Sequence, residues 1–271
     1  MQIAFIGGGN MAAALVGGLL ARGTAPAAIR MVEPLAAQRE QLHTRFGVAA
    51  FEHAGAAALA GADLVVLAVK PQQMREAVAP LQPLVGDALV VSVAAGIRAR
   101  DLSRWLGGHR RVVRAMPNTP ALIGMGVTGL AALPGTGAAD RATAERVLGA
   151  VGPTVWVDDE SLLDAVTAVS GSGPAYVFLF MEAMQQAALG LGLDARQARD
   201  LVLNTFAGAA QLALRSDEPP AALRERVTSR GGTTAAALAV MEAGDLRGLV
   251  GRAIDAAYRR GVEMGDEFGG A

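Results

Sequence analysis

Cysteine is absent from the 271 residues, which excludes disulfides, thiolate catalysis and cysteine-based metal sites. No metal site of another kind is expected either. Lysine is nearly as scarce, with Lys70 the only one among 24 Lys and Arg residues. Histidine is confined to His43, His53 and His109. Aromatics make up only 4%, so no aromatic-rich binding surface is available. Net charge is -1, and no basic run exceeds a pair such as Arg110-Arg111 or Arg259-Arg260. That leaves no positive footprint for nucleic acid. No window offers about 18 uninterrupted apolar residues, so no membrane-spanning helix is expected. The opening stretch from Met1 to Ile6 lacks a basic n-region and reads as a strand, not a signal peptide. A cytoplasmic enzyme is the expectation.

What is present is a globular chain, 52% hydrophobic and 18% charged, with material for one or two domains. Short β-branched runs at 2–6, 29–32, 47–51, 63–69, 88–93 and 111–115 predict strands. Helical patterns such as 10–22 and 36–46 fill most gaps between them. Strands alternating with helices imply parallel βαβ units in a doubly wound α/β sheet. Met116-Pro117-Asn118-Thr119-Pro120 turns the chain away, with a further strand pair at 126–131 and 153–157 around a helix at 138–150. After Asp158 only helical spacing remains, at 160–169, 174–190, 195–215, 219–227, 233–243 and 245–266. The predicted domains are therefore 1–157, α/β, and 158–271, all-α. The 174–190 helix is apolar nearly all round, so it needs cover on most sides. A subunit interface and a monomer core are both open for it.

Five motifs could carry chemistry. Gly7-Gly8-Gly9-Asn10-Met11-Ala12 follows the first strand, from Ile6, and opens a helix. Gly7 suits a tight turn, Gly9 a close approach to pyrophosphate and Ala12 close helix–strand packing. Glu33 ends the second strand, where an acidic residue accepts hydrogen bonds from the adenosine ribose and repels a 2′-phosphate. On that ground it tilts toward NADH over NADPH, although an exposed loop carboxylate is the plainer alternative. Ala68-Val69-Lys70-Pro71 and Ala94-Ala95-Gly96 leave the carboxyl ends of later strands, where ligands of doubly wound sheets bind. Ser170-Gly171-Ser172-Gly173-Pro174 is a helix start, with Pro at the first turn. Ser229-Arg230-Gly231-Gly232-Thr233-Thr234 places two glycines and two hydroxyls at a helix N-terminus, which makes an anion nest suited to a carboxylate.

The second half contains no Lys and no His, and its tyrosines are Tyr176 and Tyr258. Oxidising an alcohol needs a base for the hydroxyl proton. Reducing a protonated imine needs mainly orientation and hydride proximity, so a C=N substrate suits this inventory better than a hydroxy acid.

IAFIGGGNMA, LAVKPQ, VSVAAGI, RAMPNTPAL, DAVTAVSGSGPAYVF and VTSRGGTTAAAL stand in the order and spacing of pyrroline-5-carboxylate reductases, which the whole chain resembles. The resemblance implies an N-terminal Rossmann domain and an all-α C-terminal dimerisation domain. It also implies a homodimer that assembles further into a decamer, and reduction of Δ1-pyrroline-5-carboxylate to L-proline with NADPH or NADH. By the same resemblance, 6–12 holds pyrophosphate, and 68–71 and 94–96 line the nicotinamide arm with Asn118 nearby. Ser229, Gly231, Gly232, Thr233 and Thr234 then serve the substrate carboxylate, with donation of this loop by the other subunit left open. Thr234 stands nearest the ring nitrogen, helped by Thr167. Glu33 and Gly55 depart from the family habit, which has Ser or another neutral or basic residue, and often Asn, at those positions. A β-hydroxyacid dehydrogenase is the nearest rival, but the helix from Pro174 lacks the lysine those enzymes carry. A noncatalytic nucleotide sensor would not need an intact GGTT nest.

Overall fold

The computed structural model describes residues 1–269. In chain order the first region runs β1 (Ile3–Ile6), α1 (Asn10–Ala21), β2 (Ile29–Val32), α2 (Ala36–Phe46), β3 (Ala49–Phe51), α3 (Ala56–Leu59), β4 (Leu64–Leu67) and α4 (Met74–Val78). It continues through β5 (Leu89–Ser92), α5 (Ala99–Trp105), β6 (Val112–Met116), β7 (Thr128–Ala132), α6 (Ala138–Leu148) and β8 (Thr154–Trp156). All eight expected strands form, their ends moved by one or two residues. They build one sheet in the order β3-β2-β1-β4-β5-β6-β7-β8. Pairing is parallel except between β6 and β7, which is the doubly wound sheet expected. The strand order reverses between β1 and β4, where Ile6 lies opposite both Val32 and Leu67.

Helices cover both faces, so successive residues of one strand are buried on opposite sides. Ile3 and Phe5 enter one core with Leu15, Val66 and Val147. Ala4 and Ile6 enter the other with Val65, Met74 and Leu102. This is why β1 and β4 read as unbroken apolar runs. Phe5 is fully buried, a contribution of about 1.5–3 kcal/mol.

The remaining elements are α7 (Leu162–Val166), a π-helical turn at Thr167–Gly171, α8 (Gly173–Gly190), α9 (Ala195–Leu214), α10 (Pro220–Arg226), α11 (Thr233–Ala243) and α12 (Leu246–Gly269). No strand follows Trp156 among the described residues. The chain divides into two compact units, one of residues 1–172 with the segment from Ala257 onward, the other Gly173–Ala256. The sheet thus ends beside the expected junction at 157/158, while the first unit runs on through α7 and takes back the end of α12.

In the second unit Asp194 and Gln197 form a reciprocal capping box on α9, and Phe180 meets Phe206 edge-to-face at 5.8 Å. No residue of α8 is buried, so it is not the core helix of one chain. Residues Leu162–Gly190 are also long and apolar enough, by length and composition, to cross a bilayer. The sequence expectation differed because it required an unbroken apolar run, which the polar residues of the π turn interrupt.

Candidate active site

The three glycines after β1 have different jobs. Gly7 sits at φ 99°, and a Cβ there would come within 2.7 Å of the Ala68 carbonyl oxygen. Its N–H donates to the Val32 carbonyl at 2.8 Å. A Cβ on Gly8 would stand 2.5 Å from Leu42 Cδ1, so Gly8 permits α2 to approach. Gly9 is the exception, since a Cβ there would meet nothing within 4 Å. Gly9 is also the N-cap of α1, with no side-chain cap and no acidic residue in the first turn. The N–H groups of Asn10, Met11 and Ala12 therefore have no intrahelical acceptor. An uncapped, unscreened helix N-terminus beside open space fits a pyrophosphate.

Glu33 is 8% exposed, not the exposed carboxylate of the plainer reading. Its Oε2 accepts the Gly8 N–H and its Oε1 the Leu35 N–H, both at 3.0 Å. Around it, Gln38 Nε2 donates to the Gly8 carbonyl at 2.9 Å. Arg39 donates to the carbonyls of Glu33 and Pro34 at 2.8 and 2.7 Å and pairs with Glu52 at 3.3 Å. The negative charge is thus held in place under the glycine turn.

The other first-half candidates follow along the same carboxyl edge of the sheet. Ala68 N–H donates to the Ile6 carbonyl at 2.8 Å, which sets Ala68, Val69, Lys70 and Pro71 beside the glycine turn. Lys70 is exposed just before the short 3-10 turn that Pro71 begins. One strand over, Val93 N–H donates to the Leu67 carbonyl at 3.0 Å. Ala94 and Gly96 are buried and Ala95 is half-buried.

Asn118, after β6, has a side chain already in use. Its Oδ1 accepts the Val127 N–H at 3.0 Å, and its Nδ2 donates to the carbonyl and Oγ of Ser170, each at 3.3 Å. It staples the loop after β6 to the π turn, where Ser172 N–H bonds the Thr167 carbonyl at 2.8 Å. Such π turns recur at functional sites. Thr167 Oγ1 donates to the Leu163 carbonyl at 2.7 Å, so its oxygen remains as an acceptor.

In the second unit Gly231 adopts φ 74° and Gly232 is the N-cap of α11, without a side-chain cap. Gly232 N–H donates to the Ser229 carbonyl at 3.0 Å, and Ala236 N–H closes the first helical bond to the Gly232 carbonyl. The N–H groups of Thr233, Thr234 and Ala235 are left for an anion.

Sequence reasoning missed a cluster of charges behind the first-half site. Arg114 on β6, 5% exposed, pairs with Glu160 at 2.8 Å, and Glu160 also accepts the Ala99 N–H at 2.6 Å. Arg114 is the buried member and Glu160 only half-buried, so removing Glu160 leaves an uncompensated buried charge. Burial lifts the Asp164 carboxyl above its ordinary range, against the pull of Arg114 and Arg98. An arginine in the middle of an apolar strand was the available signal. It gave no partner, because Glu160 lies 46 residues away in sequence.

Residues 160–264 match the family described as pyrroline-5-carboxylate reductase dimerisation, and residues 2–96 match NADP oxidoreductase coenzyme F420-dependent. A pyrroline-5-carboxylate reductase of Pseudomonas aeruginosa is 49% identical, over 99% of this chain and 98% of its own. The solved pyrroline-5-carboxylate reductase of Coxiella burnetii is 40% identical, with TM-score 0.92 over 97% of this chain and 98% of its own. The chain belongs to the pyrroline-5-carboxylate reductase family. It is an NAD(P)H-dependent oxidoreductase of proline biosynthesis with a dimerisation region. The Plasmodium falciparum member, solved with NADP bound, is 26% identical with TM-score 0.86, over 98% of each chain.

Proposed function

We propose that this enzyme reduces the C=N bond of Δ1-pyrroline-5-carboxylate with the nucleotide on residues 6–12, Glu33, 68–71 and 94–96, and the substrate carboxylate on the 229–234 loop. The observation that carries this assignment is the start of α11, where Gly232 is the N-cap and offers no side chain to the first N–H groups. A carboxylate there gains backbone donors and the positive end of a helix. NAD(P)H, when bound, supplies a hydride. The imine carbon gains that hydride with its electron pair, and the protonated ring nitrogen keeps its proton as the amine forms.

The chain's part is to hold these atoms in register. Thr233 and Thr234 bind the carboxylate by backbone N–H and hydroxyl, and Thr234 also reaches toward the ring nitrogen. Thr167, whose hydroxyl proton is spent on Leu163, offers an acceptor to a protonated nitrogen. Asn118 acts by fixing the π turn that carries Thr167. The fixed charge of Glu33 favours NADH over NADPH. Dimers assemble further into a decamer in the cytoplasm, and light scattering that finds only a dimer would remove the decamer.

The residue assignment is tested with Thr234→Ala. Losing one hydrogen bond to a charged group, about 1.5–3 kcal/mol, lowers kcat/KM for the imine by roughly 10- to 100-fold and leaves nucleotide affinity unchanged. Equal damage to imine and nucleotide binding would place the carboxylate elsewhere.

A further inference from the structure

The β5–α5 loop, Val93 to Arg98, is supported from behind by a segment far away in sequence. Gly96 has φ 73°, and a Cβ on it would stand 3.2 Å from Met264 Cβ and 3.3 Å from Phe268 Cδ2. Phe268 packs against the same buried cluster that holds Ala94 and Ile97. Two residues on, Arg98 bonds Asp266 at 2.5 Å, and a Cβ on Gly265 would press on its guanidinium at 3.1 Å. Arg104 of α5 donates to the Gly269 carbonyl at 2.8 Å.

Gly261, Gly265 and Gly269 recur every four residues, so one face of the end of α12 carries no side chains. That lets the helix approach closely, and Gly261 and Gly265 are both buried. The loop cannot move toward the helix, since Met264 and Phe268 already fill that side.

We infer that Met264, Phe268 and Asp266 are positioning residues for the nicotinamide end of the cofactor site, acting through the Ala94–Gly96 loop. The inference rests on the reading that this loop lines the nicotinamide arm. The glycine turn lies two strands away and Glu33 three, and both have their own hydrogen bonds, so the brace acts on one end of the dinucleotide only. A general loss of stability would weaken both ends alike.

The experiment compares affinity for NADH with affinity for ADP-ribose, which lacks the nicotinamide. Phe268→Ala weakens NADH binding on the order of tenfold, well within what a small misplacement costs, and leaves ADP-ribose unchanged. Phe268→Leu, which refills the contact, restores most of the loss. Asp266→Asn, at an exposed ion pair with little bearing on folding, moves NADH in the same direction by a smaller factor. If Phe268→Ala and Asp266→Asn shift both ligands equally, or neither ligand, the brace is ordinary packing and the inference fails. Ala95→Leu tests the underlying reading separately. If it weakens NADH alone while Phe268→Ala does not, the loop lines the arm but the brace is wrong. If it spares NADH, the reading of the loop itself is wrong.

Discussion

The two units treat their apolar residues in opposite ways. The first buries Phe5, Leu15, Leu67, Met74 and many others on both faces of its sheet. The second buries only Ala198 and Val202 among its apolar side chains, although α8 is apolar nearly all round. Phe178 and Leu179 are 62% and 66% exposed. An apolar surface of that kind marks an interaction site, and the match to a dimerisation family says what covers it. The contrast teaches that burial completes the first unit within one chain and the second only with a copy of itself.

The strongest way to break this comparison is to charge the exposed face. Phe178→Glu with Leu179→Glu abolishes the dimer by light scattering and with it essentially all turnover, while isolated nucleotide binding survives. A dimer that persists would show that α8 is not the contact. Next in size is Gly9→Val, whose Cβ enters open space with no protein atom within 4 Å. It should weaken NADH binding by about 10- to 100-fold through loss of phosphate contacts with little change in Tm. A large fall in Tm would mean the space belongs to folding and not to a ligand.

Glu33→Ser sharpens the picture of the adenosine end, shifting the kcat/KM ratio of NADPH to NADH upward by about tenfold, the value of one moderate charge interaction. Because Glu33 also accepts two backbone N–H bonds, Tm falls as well. An unchanged ratio would leave Glu33 as a purely structural buckle. The smallest effect concerns Asp164. Its folded carboxyl titrates above the ordinary value near 3.8, so the folded state holds the proton more tightly than the unfolded chain. Its contribution is favourable below the unfolded value and is lost as pH rises through the folded one. Asp164→Asn should therefore raise Tm slightly at neutral pH, with the gain vanishing in mild acid. A gain independent of pH would assign the effect to something other than this ionisation.

Much of the first unit was legible because its physics is local. Short β-branched runs marked eight strands, and the glycines after Ile6 marked the tight strand-to-helix turn that opens α1. The buried state of Glu33 was not legible, since it depends on Gly8 and Leu35 presenting N–H groups to one carboxylate. Nor was the return of Met264 and Phe268 onto Gly96, because helical spacing in α12 shows a face but not what it packs on. The glycines at 261, 265 and 269 were the one visible hint of close approach. The π turn was hidden for a similar reason. It is held by Asn118, 52 residues from Ser170, and nothing in the local sequence of 167–171 demands it. In the second unit, Gly231, Gly232 and the two threonines marked the uncapped start of α11.

Imine reduction by this chain is measured most directly by following nicotinamide absorbance with pyrroline-5-carboxylate while assaying the product. One NAD(P)H is expected to be lost for each L-proline formed, with no comparable oxidation on hydroxy-acid or keto-acid substrates. Purified dimer that binds the nucleotide but leaves the imine unreduced would contradict it.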